Sequence, residues 1–427
     1  MADISTESYK GVRDFYPEDW QRMQKIFAII RSSVERYGYQ EYNASPLEST
    51  ELYLSKTSDE IVNEQTYTFI DRGDRSVTLR PEMTPTVSRM VAAKMKALSY
   101  PIRWYSIPNV FRYEKPQRGR LREHYQLNVD LFGMEGIEAD TEIVQLASFI
   151  LTSFGAKESD FVIKLNSRSL MNALFSDLGL TPDKQKSVIR LIDKIKKISK
   201  EDVQTELNSI CDTSKQQEAI KQFIAGNIIS TNEAVQNAKQ ELDSFIENLA
   251  KIGITNAEID LTLARGFDYY TGIVFEVFDT DPKNNRSLFG GGRYDGLTTL
   301  FGEKALPAVG FGMGDVTLQD FLEARSITPK TEPAADIYIC RAGISFEQAS
   351  IVADDLRRTG IRVLVDLSTK KIGDQISKAS KENIPYVLVI GENELQNKAF
   401  ELKNLADGSV TTGSITEIVE QFNDRTV

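Results

Sequence analysis

One histidine, His124, serves the whole chain of 427 residues, and there are two cysteines, Cys211 and Cys340. A multi-histidine metal site is therefore excluded, and a histidine-based triad would have to use His124. The two cysteines are far apart in sequence and build neither a disulfide framework nor a cysteine metal site. A reducing, cytoplasmic compartment is the expectation. Long apolar runs are missing as well. None approaches the roughly 20 residues of a membrane-spanning helix, so no membrane is expected. The opening residues, MADISTESYKG, lack the basic-then-apolar pattern of a secretory signal. Positive charge is in deficit: 51 Lys and Arg stand against 62 Asp and Glu, a net charge of −11. Nucleic-acid binders are basic at least locally, so an RNA-binding surface here must gather its cations in one groove. The site chemistry must come from Arg, Glu, Asp, Gln and Tyr.

What is present reads as globular: 41% hydrophobic and 26% charged residues are ordinary values. The length implies two or three domains. The stretch that organises the chain is Asn109 to Gly133, NVFRYEKPQRGRLREHYQLNVDLFG. It opens on a strand-like segment, Val110 to Tyr113, and closes on an alternating one, Tyr125 to Leu131. Alternation sends Tyr125, Leu127, Val129 and Leu131 to a core and leaves Gln126, Asn128 and Asp130 on an open face. The loop between carries Lys115, Arg118, Arg120 and Arg122, bent by Pro116 and Gly119. Arginine forks on such a loop suit a polyanion, since each can grip two phosphate oxygens.

Upstream, Pro17 with Glu18 and Asp19 starts a helix. Its apolar face is Trp20, Met23, Phe27, Ile30, Val34 and Tyr37, and Gly38 is the stop. A strand, a Gly turn and a second strand follow over Tyr67 to Leu79, then a helix from about Thr84. Taken alone, Glu82 and Thr84 read as helix capping. Residues 168–255 are rich in Lys, Gln and Glu, with Leu and Ile at helical spacing. There Arg190, Lys194, Lys196, Lys197 and Lys200 read first as a solvated helix face, and second as cations able to touch an RNA backbone. Strands return over residues 259–318: Leu263 to Gly272, LARGFDYYTG, reads as a turn that leads into a core strand, Ile273 to Phe278, and two glycine-rich runs follow, Gly290 to Gly296 and Gly310 to Gly314. Glycines at strand ends let a ligand approach the backbone. After a linker at residues 325–335, strands alternate with helices, which predicts a small, mostly parallel sheet.

FRYEKPQRGRLREHYQLNVDLFG resembles the second signature motif of class II aminoacyl-tRNA synthetases, in the form carried by histidyl-tRNA synthetases. LRPEMT, residues 79–84, resembles the stretch that binds the amino group of histidine in that family, and LARGFDYYTG resembles a peptide specific to it. The resemblance implies an α+β catalytic domain (residues 1–167 and 256–325) with a mainly antiparallel sheet flanked by helices. It also implies a helical insertion (168–255) and an α/β anticodon-binding domain (333–427). The implied activity is histidine–tRNA ligation: ATP, taken with Mg²⁺, activates histidine, which then passes to tRNA-His. The implied assembly is a homodimer, with residues 11–50 at the interface.

By the same resemblance, Arg112 and Arg265 act at the α-phosphate, Arg120 at the outer phosphates and Glu114 at adenine. Glu82, Thr84 and Gln126 receive the ammonium of histidine. Asp130 and Tyr270 bind its ring nitrogens, and Tyr269 and Tyr294 pack nearby. Two departures stand out. Asp315-Val316-Thr317 replaces the Glu-Arg-Leu that commonly follows the third motif, and Asp130 stands where many relatives carry Glu. A non-catalytic paralogue, the regulatory subunit of ATP phosphoribosyltransferase, is the alternative, though it is expected to lose LARGFDYY and the C-terminal domain.

Overall fold

The computed structural model describes residues 4–54, 65–117, 119–195, 198–264, 269–284 and 286–423. It divides into two compact units, Met1–Pro329 and Lys330–Val427.

The first unit contains strands β1 (Gln40–Glu41), β2 (Leu47–Ser49), β3 (Tyr67–Ile70), β4 (Ser76–Leu79), β5 (Ile102–Ser106), β6 (Asn109–Phe111), β7 (Glu123–Phe132), β8 (Phe161–Ser167), β9 (Ala257–Ile259), β10 (Ile273–Asp279), β11 (Ser287–Arg293) and β12 (Ala308–Gly314). The large sheet runs β1-β5-β7-β12-β11-β10-β8-β9, with β6 paired to β7. Only its two end pairs, β1 with β5 and β8 with β9, are parallel. The mainly antiparallel α+β architecture expected of the sequence is therefore present. A separate antiparallel sheet holds β2, β4 and β3.

The alternation of β7 explains the layering. Leu127, Val129 and Leu131 enter the main apolar core, together with Met23, Ile26, Phe27, Ile30 and Val34 of helix Pro17–Glu35. That helix starts on Pro17 with Glu18 and Asp19 in its first turn, as its sequence predicts. Trp20 stays at the rim, its ring against Phe15 and Tyr125. Among the described residues of 168–255, five α-helices run Arg168–Asp177, Pro182–Lys194, Lys200–Ile210, Ser214–Ile224 and Glu233–Lys251. Leu170, Leu191, Phe223 and Phe245 from these helices belong to the same core as the sheet.

The second unit carries β13 (Ile337–Ala342), β14 (Val363–Val365), β15 (Tyr386–Gly391), β16 (Phe400–Asn404) and β17 (Val410–Gly413), in the order β14-β13-β15-β16-β17. The first three are parallel, joined through helices Phe346–Arg358 and Ile372–Lys381. The parallel sheet predicted there is present in these three strands, and β16 and β17 extend it as an antiparallel hairpin. Its turn closes with Asn404 N donating to Ser409 O at 2.8 Å, and Gly408 takes φ 75°, a conformation that costs glycine little.

Candidate active site

Two adjoining cavities lie on the polar face of β7. The smaller, about 100 Å³, is lined by Glu82, Thr84, Arg112, Gln126, Asn128, Tyr269, Tyr270 and Tyr294, with Gly290, Gly310, Phe311 and Gly312 beside them. Register explains the glycines. Gly310 pairs with Asp130 and Gly312 with Asn128. A Cβ on Gly310 would sit 2.3 Å from Val129 O and 2.6 Å from Asp130 Oδ1. Bare backbone is the only way β12 can pass under those side chains.

The open polar face expected on β7 is roofed over. Tyr269 packs against Tyr270 and Tyr294, with ring centroids 4.9 and 5.8 Å apart. Asp130 is 3% exposed and does not line the cavity itself; it touches two residues that do. Tyr294 Oη donates to its Oδ1, and Gly310 runs beneath it. Burial raises the Asp130 carboxyl to about 7, against the opposing pull of the Tyr294 hydrogen bond. Burial, then the neighbouring carboxylate charge, pushes the Tyr294 hydroxyl well above its ordinary value.

Glu82 lies between β4 and helix Thr84–Lys94. It is 3% exposed and accepts from Tyr269 Oη at 3.1 Å. The cap position of that helix is Met83, without a side-chain cap bond, so Glu82 and Thr84 do not act as its caps. A buried carboxylate beside hydroxyls is suited to an ammonium group.

Arg112 lines both cavities. Its Nε donates to Pro81 O at 2.9 Å, which anchors the guanidinium where they meet. The larger cavity, about 180 Å³, is lined further by Glu114, Gly119, Arg120, Leu121, His124, Val316 and Thr317. Arg120 pairs with Glu114 at 3.4 Å and is 56% exposed, so it is held loosely enough to exchange that partner. His124 is driven down to about 3, by burial and then by the charges of Arg112 and Arg13, and its ring is neutral at any physiological pH.

Of the other loop cations, Arg122 lies 4.0 Å over the Tyr113 ring and donates to Glu114 O, a structural use. Arg118 and Arg265, with Gly266, Phe267 and Asp268, fall outside the described residues, as do Lys196 and Lys197. Reasoning from sequence passed over Asn128 and His124 as lining residues. The alternation of β7 was the available signal for Asn128. Among the described residues, no three His, Cys, Asp or Glu side chains cluster as a metal site, and no helix is long and apolar enough to cross a membrane.

The family model described as "Histidyl-tRNA synthetase" matches residues 11–316, and "Anticodon binding domain" matches residues 334–425. A histidine–tRNA ligase of Leptospira biflexa is 41% identical over 99% of this chain and 98% of its own. The histidyl-tRNA synthetase of S. aureus, solved in its apo form, is 26% identical with a TM-score of 0.75, over 99% and 100% of the two chains. That of Nostoc shares the fold at TM-score 0.80 and 23% identity, over 99% and 100% of the two chains. With both of its parts matched and its curated relatives aligned end to end, the chain belongs to the histidyl-tRNA synthetase family.

Proposed function

We propose that this histidine–tRNA ligase holds histidine in the smaller cavity and ATP in the larger, with Arg112 at the reacting centre. The observation that carries the reading is the junction: Arg112, Gln126 and Gly312 line both cavities. A carboxylate entering from one side meets a phosphate entering from the other. Both reactants are anionic, so a fixed cation offsets their repulsion and the charge that grows as the carboxylate attacks the α-phosphorus and pyrophosphate leaves. No side chain need act as general base, because the attacking carboxylate is already ionised.

Glu82, Thr84 and Gln126 take the ammonium group. Asp130 and Tyr270 take the imidazole nitrogens, with Tyr269 and Tyr294 closing the pocket. A site built to pair two ring nitrogens rejects isosteres that leave its buried groups unpaired. Glu114 meets adenine, and Arg120 leaves it for the outer phosphates. Arg265 joins Arg112 at the α-phosphate, an assignment that comes from the family resemblance. Mg²⁺ enters on ATP as part of that substrate.

Residues 1–167 and 256–325 form the catalytic domain in this reading, 168–255 a helical insertion and 333–427 the domain that reads tRNA-His. A cytoplasmic homodimer is proposed with it. Large apolar side chains left exposed at Leu47, Leu54, Phe69 and Ile70 support a partner surface.

The test is ATP–pyrophosphate exchange with each standard amino acid in turn. Exchange with histidine alone is expected. A folded protein that binds histidine without exchange refutes the reading and favours the regulatory paralogue.

A further inference from the structure

Behind the smaller cavity, β1, β5 and β7 place a second row of side chains on the same face. Trp104 pairs with Asp130 and Ser106 with Asn128. Gln40 runs parallel to Trp104, and Tyr42, two residues on, donates its backbone N–H to Tyr105 O at 2.8 Å. The Tyr42 ring packs on Trp104, with centroids 5.8 Å apart.

Three buried oxygens of this row, Tyr42 Oη, Ser106 Oγ and Asp130 Oδ2, have no hydrogen-bond partner among the described residues. Register and packing set them on one face: Ser106 lies two residues along β5 from Trp104, which pairs with Asp130 and carries the Tyr42 ring. Burial, then the Asp130 charge, raises the Tyr42 hydroxyl, and Ser106 stands beside it without a well-aimed bond between the two hydroxyls. Buried polar groups are nearly always paired, and an unpaired one is costly. Two hydroxyls, each able to donate or accept, and one carboxylate oxygen that accepts make a complementary set for one water molecule with three bonds.

We propose that Tyr42 and Ser106 are positioning residues for the amino-acid substrate: with Asp130 Oδ2 they hold one bridging water that fixes the Asp130 carboxylate for the substrate ring. This rests on the assignment of Asp130 to the imidazole. Tyr294 holds one carboxylate oxygen, and the water holds the other. The carboxylate plane is then set from both sides, and the substrate meets an acceptor that need not reorient.

The experiment is steady-state exchange kinetics of Tyr42→Phe, Ser106→Ala, the double variant and Asp130→Asn, with melting temperatures as the fold control. Tyr42→Phe keeps the ring against Trp104 and removes only the hydroxyl. Each single variant is expected to raise KM for histidine about tenfold, the worth of one buried hydrogen bond. KM for ATP and kcat stay where they were, and the double variant matches the worse single one, because both act through one water. An unchanged KM for histidine in both Tyr42→Phe and Ser106→Ala overturns the proposal, as do additive effects or a parallel rise in KM for ATP. If Asp130→Asn also leaves KM for histidine unchanged, the imidazole assignment itself has failed. If Asp130→Asn raises it and the other two do not, only the water-mediated positioning has failed.

Discussion

Asp130→Asn should remove a pH-dependent weakness from the fold. The Asp130 carboxyl titrates near 7 in the folded protein, raised by burial from its ordinary 3.8. An unfolded chain gives up this proton near pH 4, whereas the folded chain keeps it until about pH 7. Between those values the folded state binds more protons, so stability falls as pH rises. At 1.36 kcal/mol per unit, the rise from 3.8 to about 7 amounts to a loss on the order of 4 kcal/mol. Asparagine keeps the shape and still accepts the Tyr294 hydroxyl, yet it cannot ionise. Thermal unfolding of both proteins from about pH 5 to pH 8 reads the difference. The wild type should fall progressively below the variant until about pH 7, after which the gap stays constant. Curves that run parallel across that window would mean that Asp130 is already ionised at acid pH, and the argument from burial would be wrong. The same variant should lose histidine affinity, since it exchanges a carboxylate acceptor for an amide. Stability gained and function lost at one residue is what a charge retained for binding predicts.

Arg112→Ala should slow histidine-dependent exchange by roughly 10² to 10³-fold, the usual cost of one fixed donor at a reacting anion. Its melting temperature should stay near wild type, and an unchanged rate would remove Arg112 from the reacting centre. Gly310→Ala puts a Cβ 2.3 Å from Val129 O, so β12 must move off β7; a cost of about 1–3 kcal/mol is expected, and wild-type stability in a denaturant melt would contradict it. Arg293 donates to Asp140, Met134 O and Gly136 O from a side chain only 10% exposed. Arg293→Ala strands the buried Asp140 carboxylate and should cost roughly 3–5 kcal/mol, again read by denaturant. Asp140 is itself raised to about 6 by burial that Arg293 opposes, so without Arg293 its carboxyl takes up a proton at a higher pH still; the loss should shrink as pH falls toward about 6 and level off below it.

Local rules carried much of the fold. Pro17 with two acidic neighbours marks the start of the first helix, and the period-2 run of β7 separates Leu127, Val129 and Leu131 from Gln126, Asn128 and Asp130. A period says which side chains share a face, and nothing about what covers it. The roof over Asp130 comes from Tyr294, 164 positions away, and no local pattern encodes that contact. The same limit applies to residues 168–255. Their helical spacing is legible, but that their apolar stripes join the core of the sheet depends on long-range packing. The β16–β17 hairpin escaped for a different reason: Phe400 and Leu402 are the only buried positions of β16, too short an alternation to stand out from a polar loop. At the site, residue chemistry and motif spacing mark Glu82, Thr84, Arg112 and the tyrosines as candidates, and tertiary structure brings them around one space. The orphaned oxygens of Tyr42 and Ser106 leave no trace in the sequence at all.

Residues 315–317 show how a motif position can change without leaving a gap. Asp315 opens helix Asp315–Ala324 and is buried. Its carboxylate accepts from Arg13 at 2.8 Å, from Tyr125 N at 2.9 Å and from Gln319 Nε2 at 3.0 Å. It therefore ties the N-terminal segment to the first turns of β7 and of its own helix. Thr317 Oγ1 donates to Leu288 O at 2.6 Å, which fixes the helix against β11. Between them Val316 faces the larger cavity with no charge. An arginine at Val316 would add a third cation to a space already lined by Arg112 and Arg120. The wall is apolar at Val316; of the two anchors beside it, Thr317 lines the cavity as well and Asp315 does not. On the proposed assignment, phosphate binding here falls to Arg112 and Arg120 of the loop between β6 and β7, with Arg265. There Arg120 is paired loosely with Glu114 and can be drawn to a stronger anion, while Arg112 stays fixed by Pro81. In the proposed division, Arg112 with Arg265 serves the reacting phosphate and the mobile Arg120 the departing ones, since pyrophosphate must be released after it is stabilised.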